Sequence, residues 1–270
     1  MTERRAEQVG VDGPGERDPM TRNPLVTYAL RLGDDALLLS QRLGEWISKA
    51  PEIEEDIAVA NIGLDLLGQA RSLLAYAGEV EGRGRTEDDL AYLRVERDFL
   101  NLQLVEQPNG DFARTIARQL MFSTYQLALY ERLAGSADGT LAGVGAKGAK
   151  EAAYHRDHAT QWTLRLGDGT EESHERMRAG LAWVWPFAAE MFEGDGVESG
   201  LAARGVAVDP AGLRPEWDAY VDGVLAEATL ARPEIAWRPS GGRHGLHTES
   251  FGYLLAEMQH LHRAYPGARW

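Results

Sequence analysis

Glu151, His155 and His158 lie in the stretch EAAYHRDH at i, i+4 and i+7. At about 100° of helical rotation per residue, the three side chains fall within a sector of roughly 60°. A carboxylate and two imidazoles on one helical face form a ligand set that iron accepts. The chemistry they suggest is a metal centre inside a helix bundle, used for redox work.

A dinuclear carboxylate centre in a four-helix bundle takes a Glu from each of two helices and a Glu-x-x-His pair from each of the other two. Against that requirement the chain is incomplete. Glu45, four residues after Gln41, suits a single-ligand slot as well as it suits the surface near a helix end. Asp65 stands in ANIGLDLLGQAR, but Gly68 occupies the place of its partner histidine, and glycine offers no ligand. In FARTIARQLMFSTYQLALYERL the only acid is Glu131, near the end, so the centre of that stretch offers Tyr125 or Gln126. Tyr154 stands three residues after Glu151, and His155 comes one place late for the usual pair. Lys147 precedes Glu151 by four residues and shares its face, supplying positive charge where a metal ion would. A buried carboxylate needs such a partner to offset its desolvation. These residues read as a degenerate site. Glu45, Asp65, Lys147, Glu151 and His155 form its salt-bridged or hydrogen-bonded network, with Gly68 and Tyr154 at lost ligand positions. A working di-iron centre and a mononuclear or adventitious metal site are the alternatives.

Two further groups have the right types for binding. GGRHGLH, residues 241–247, carries Arg243, His244 and His247 on a glycine-rich backbone. Such a loop can cradle a phosphate or another anion, with plain loop structure or a contact between subunits as the default. Trp183, Trp185 and Phe187 cluster around Pro186, as core packing or as an interface for a partner helix. No nucleophile elbow is present.

Composition narrows the function classes. Twenty-eight basic against 42 acidic residues give a formal charge of −14, which argues against a general nucleic-acid binder and suits a soluble chain or one meeting a basic partner. The absence of cysteine excludes disulfides, thiolate metal sites and cysteine nucleophiles and fits a cytoplasmic location. No apolar N-terminal region or run of about 18 apolar residues marks a signal peptide or a membrane span.

The elements that must position these residues read as helices throughout. Residues 1–23 are polar and Gly/Pro-containing, a disordered tail. Helical periodicity covers 25–49, 54–79, 87–105, 112–133 (capped by Asp111), 141–166, 174–193 (capped by Ser173 and bent near Pro186), 215–231 and 249–262 (capped by Thr248). Residues 197–214 and 232–246 read as turns and loop. Long helices with short connections bury their apolar stripes by packing antiparallel, so the fold class is an all-α helical bundle over residues 24–270.

Several long stretches carry a resemblance to a known family. They are LRLGDDALLLSQRLGEW (30–46), DIAVANIGLDLLGQAR (56–71), LVEQPNGDFARTIARQ (104–119), KEAAYHRDH (150–158), GVAVDP (205–210) and GLHTESFGYLLAEMQHLHRAYPG (245–267). From Pro24 to Trp270 the chain resembles the C subunits of bacterial ring-1,2-phenylacetyl-CoA epoxidase, with the first 23 residues outside the match. The resemblance implies a ferritin-like helical domain and a place in a multicomponent monooxygenase of aerobic phenylacetate catabolism. In that family the related A subunit holds the di-iron centre and epoxidises the ring with oxygen and electrons from NADPH. The C subunit pairs with it as a structural, non-catalytic partner. No catalytic residue, cofactor or metal is then expected in this chain. A stand-alone di-iron oxidase, and a subunit that reaches the CoA moiety through Arg243, His244 and His247, are the alternatives. A homo-oligomer is an option for the chain alone.

Overall fold

The computed structural model describes residues 23–268. The expected tail therefore lies outside the described residues except for Asn23, whose side chain accepts a hydrogen bond from the Leu25 amide and caps the first helix. Among the described residues there are nine α-helices and no strand: α1 (Pro24–Gly44), α2 (Ile53–Glu81), α3 (Glu87–Tyr92), α4 (Phe112–Leu133), α5 (Gly139–Gly167), α6 (Glu171–Val184), α7 (Gly196–Ala202), α8 (Arg214–Glu227) and α9 (Glu249–Ala264).

Local signals explain most boundaries. Pro24 opens α1 at a position where a missing amide costs nothing. Glu54, Glu55 and Asp56 crowd the first turn of α2, where the helix dipole favours negative charge. Asp111 and Asp138 accept the amides of Arg114 and Leu141 and start α4 and α5.

The long helices form two antiparallel hairpins. In the first, Ser40 of α1 donates to the Gly63 carbonyl of α2, and Gly33 packs against Leu73 and Leu74. In the second, Gly148 of α5 lies against the ring of Tyr130, where a Cβ would come within 2.5 Å of a ring carbon. The hairpins meet with α2 beside α5, giving a ferritin-like bundle of α1, α2, α4 and α5, with α6 to α9 packed around it. α1 and α4 are buried almost all round and form the inner layer.

The expected helix over 87–105 is corrected. Only α3 and a short 3₁₀ turn at Glu96–Asp98 form there, and residues 99–111 run as an irregular buried segment. Tertiary contacts override helical propensity because the segment's backbone finds partners elsewhere. Asp34 and Asp35 of α1 accept the amides of Leu100 and Leu102 at 2.9 and 2.7 Å. Glu190 accepts the Gln103 amide at 2.7 Å, and Arg118 donates to the Gln107 carbonyl at 2.6 Å.

Other boundaries also move. The expected helix to residue 49 stops at Gly44 and continues as turns. Thr170 rather than Ser173 caps α6, with Ser173 completing a capping box from inside. At Pro186 the helix tightens into a 3₁₀ segment, Trp185–Phe192, and a short α7 forms where turns were expected.

Candidate functional site

The Glu151 face of α5 lies against α2, and its three polar residues each meet a different partner. Gln69 of α2 donates through Nε2 to Glu151 Oε2 at 2.8 Å. Its Oε1 accepts from Gln126 Nε2 at 3.0 Å and from the Tyr130 hydroxyl at 3.2 Å. His155 Nε2 lies 3.2 Å from Asp65 Oδ2, and His158 Nε2 lies 2.7 Å from Glu55 Oε2. The polar centre of the bundle is thus a line of side chains along the α2–α5 contact, reaching α4 through Gln126 and Tyr130. Burial pushes the Tyr130 hydroxyl far above its ordinary range, so it stays a neutral hydrogen-bond donor.

The structure brings together Asp65, Lys147, Glu151 and His155 but not Glu45. Glu45 is the residue that closes α1. It pairs with Arg42 at 2.8 Å and accepts from Asn109 at 3.1 Å, so its partners hold the 99–111 segment rather than the bundle centre. Tyr125 turns away too, its ring 5.9 Å from Phe192, which leaves Gln126 in the central slot of α4. Tyr154 is exposed on the outside of α5. Gln69, Tyr130 and Glu55 escaped the sequence reading. Gln69 had a signal, since it follows Asp65 by four residues on the same helical face.

Lys147 also departs from expectation. Its Nζ lies 3.3 Å from Glu151 Oε1, but its side chain is 71% exposed while that of Glu151 is 14% exposed. The flexible lysine stem lets the ammonium reach water above Gly68, whose missing Cβ would sit 3.8 Å from Nζ. The pair is therefore a screened surface pair, and Lys147→Met is expected to change folding stability by only about 0–1 kcal/mol in urea denaturation.

A di-iron centre needs several carboxylates and imidazoles converging on one point. Here two amides and a phenol fill the middle, Gly68 provides no donor, and the two histidines are each bound to a separate carboxylate. Among the described residues no group of three or more His, Asp or Glu is placed to hold a metal ion. The residues present do not fit the centre.

The 241–247 loop is a strut rather than an anion cradle, which corrects the expectation for Arg243. Its guanidinium donates to both oxygens of Asp35, at 3.1 and 2.7 Å, and to the carbonyls of Arg31 and Leu100. His247 lies 2.8 Å from Glu106 Oε2 and 3.1 Å from the Phe99 carbonyl, its side chain fully buried. Of Arg243, His244 and His247, only His244 faces solvent, 3.7 Å from Asp195. With Arg243 neutralised and enclosed, no cation of this loop is offered to a phosphate. Burial pushes Asp35 up to about 6 and Glu190 up to about 7, against the guanidinium and amide donors that hold their charged forms.

The chain has relatives among known proteins. The sequence model of the family described as "Phenylacetic acid catabolic protein" matches residues 11–270. The chain belongs to that family. One relative is the C subunit of the 1,2-phenylacetyl-CoA epoxidase of Escherichia coli (strain K12). It is 52% identical over 248 residues, which cover 92% of this chain and 100% of the relative. The phenylacetic acid catabolic family match starts at residue 11, inside the segment that the resemblance had placed outside.

Within this family member, the aromatic cluster expected around Pro186 divides. Trp185 is buried against Trp217, with ring centroids 5.9 Å apart. Trp183 is half exposed beneath the Arg114 guanidinium at 4.1 Å, and Phe187 meets Trp237 at 5.6 Å. Among the described residues no helix is long and apolar enough to cross a membrane.

His155 supplies a pH test. Burial holds its imidazole below the usual value, outweighing the hydrogen bond and charge of Asp65, which pull the other way. A base depressed in the folded state contributes stability above its unfolded value of about 6.5 and loses it as pH falls toward the folded value. The stability gap between wild type and His155→Gln should therefore narrow from about pH 7.5 to about pH 5.5, on either side of the ordinary histidine range. Urea midpoints at both pH values check this, and a constant gap would show that the imidazole is not desolvated.

Proposed function

We propose that this chain is the structural, non-catalytic C-type subunit of a 1,2-phenylacetyl-CoA epoxidase in phenylacetate catabolism. In this reading it pairs with the di-iron A subunit, which carries out the NADPH- and oxygen-dependent ring epoxidation, and holds no metal or cofactor itself. The observation that carries the reading is the neutral centre of the bundle. Gln69 joins Gln126, Tyr130 and Glu151 by hydrogen bonds where an oxygen-activating bundle would converge carboxylates on metal. Membership of the family, and 52% identity to a relative of this type along that relative's full length, supply the context.

A structural partner of this kind provides packing surface and rigidity. The buried ion pairs and hydrogen bonds around 99–111 fix the inner layer, and a fixed inner layer keeps the outer helices in register for a partner.

Co-expression with the A subunit tests the reading. The two chains should co-purify, the A subunit should turn over phenylacetyl-CoA only in that complex, and this chain alone should be inactive. Full activity of the A subunit without this chain, or failure of the two to associate, would refute it.

A further inference from the structure

Three large aromatic side chains are left exposed around one pocket. Trp183 at the end of α6, Trp237 in the loop after α8 and Tyr253 of α9 are 47%, 58% and 77% exposed. With the buried ring of Phe187 they line a cavity of about 590 Å³, a size typical of small-ligand sites. Phe187 and Trp237 meet edge to face, their planes at 82° and their centroids 5.6 Å apart. Two of the rings thus form a corner rather than a flat patch.

Ring faces carry partial negative charge and attract cations. Among the described residues that line the pocket, Glu249 is the one with a formal charge at neutral pH, and no Lys, Arg or His lines it. Its other polar groups suit a ligand that donates a hydrogen bond. Thr248 and Ser250 bring hydroxyls. Gln107 is buried and spends its Nε2 on the Gln103 carbonyl at 2.8 Å, while its Oε1 accepts no hydrogen bond from the described residues.

The charges beyond the lining do not reverse this balance. Arg114 packs over Gly110 and already holds its guanidinium 4.1 Å from the centroid of the Trp183 ring, so one wall is occupied by a cation from the chain itself. Arg176, two turns before Trp183 on α6, is paired with Glu172 and Asp111. Arg238 follows Trp237, but Glu234 is exposed on the same loop and Glu257 is exposed one turn after Tyr253, on the α9 face of Glu249. The chain as a whole carries a formal charge of −14. An anion would enter beside Glu249 with no free cation in the lining to meet it, whereas a cation meets ring faces and a carboxylate together.

We propose that Phe187, Trp237, Tyr253 and Glu249 form an aromatic cage for a small organic ammonium ion, with Gln107 accepting a hydrogen bond from its polar end. The concave shape favours a free small molecule over the flat contact of a protein surface. The proposal stands independently of the subunit role above and gives this chain a ligand of its own.

Calorimetric titration of the purified full-length chain tests it, with choline as the probe. Two isosteres serve as comparison: neohexyl alcohol, in which carbon replaces the ammonium nitrogen, and the anion tert-butylacetate. Choline should bind saturably at a single site, and both isosteres at least about 10-fold more weakly, the scale of a desolvated cation–π contact. Trp237→Leu and Tyr253→Leu should each weaken choline by about 5-fold or more, and Glu249→Gln by about 3-fold. Melting curves of all three should superimpose on wild type, since the side chains are exposed. Absence of choline binding, equal binding of the three probes, or unchanged affinity in both ring variants would overturn the proposal. The same titration on the complex with the A subunit separates the two sources of a cation. Unchanged affinity there supports a free ligand, and loss of binding would assign the cage to a basic side chain of the partner and overturn the small-molecule reading.

Discussion

Asp34→Ala should destabilise the folded chain by about 3–5 kcal/mol, read as a drop in the urea midpoint, because it strands a buried guanidinium. Arg94 and Asp34 are both buried, with side chains 2% and 0% exposed. The guanidinium of Arg94 donates to both Asp34 oxygens, one of them at 2.9 Å, and lies 4.0 Å above the Phe99 ring. Asp34 also accepts the Leu100 amide at 2.9 Å, so its removal unpairs a backbone group of the irregular segment as well. The cost comes from what is left behind rather than from the strength of the pair. Adding Arg94→Met to Asp34→Ala should therefore restore much of the loss, since replacing both members by apolar groups is often close to neutral. A single-variant cost below about 1 kcal/mol would mean that the pair is screened like a surface one.

The second large effect is expected at Glu106. Its side chain is fully buried and gathers three partners: it accepts from Asn101 Nδ2 at 2.9 Å and from the Thr248 amide at 2.5 Å, and lies 2.8 Å from the His247 ring nitrogen. These join the 99–111 segment to the start of α9. Glu106→Ala leaves the Asn101 and Thr248 donors buried and unpaired, at about 1–3 kcal/mol for each neutral group, and removes the partner of His247, so a total of about 3–5 kcal/mol is expected after partial relaxation. Glu106→Gln keeps the shape and one acceptor and should cost less than half as much. Hydrogen exchange gives a second readout: in Glu106→Ala, residues 241–264 should lose protection before α1 and α4 do. Uniform loss across the chain would contradict the role of Glu106 as a local tie.

How much of this was legible in the sequence depends on where the deciding partners lie. The α4 and α5 helices were readable because their determinants are local: Asp111 and Asp138 cap them, and a PNG turn precedes the first. Residues 93–105 were not, because the groups that pull them out of helix, Asp34, Asp35 and Glu190, sit far away in the chain. Glu45 was misplaced for a related reason. It satisfies the periodicity of α1, yet the helix ends one residue earlier and the side chain turns to Arg42 and Asn109.

The centre of the bundle was half legible. A search for acids and histidines finds Asp65, Glu151 and His155 and overlooks Gln69 and Tyr130, although those two hold Glu151 and Gln126 in one network. Lys147 shows the limit of helical spacing. Sharing a face with Glu151 fixes where its Cα lies, whereas the long stem decides how far its charge reaches into water.

The non-catalytic role proposed above predicts that this chain does not retain iron. Iron titration of the purified full-length chain tests this most directly, with Fe(II) added under anaerobic conditions, excess removed, and metal counted per chain beside an identically treated A subunit. Iron is expected to stay with the A subunit and to remain far below one ion per chain here. Retention of close to two irons per chain, as a six-ligand di-iron bundle would hold, would contradict the proposed role.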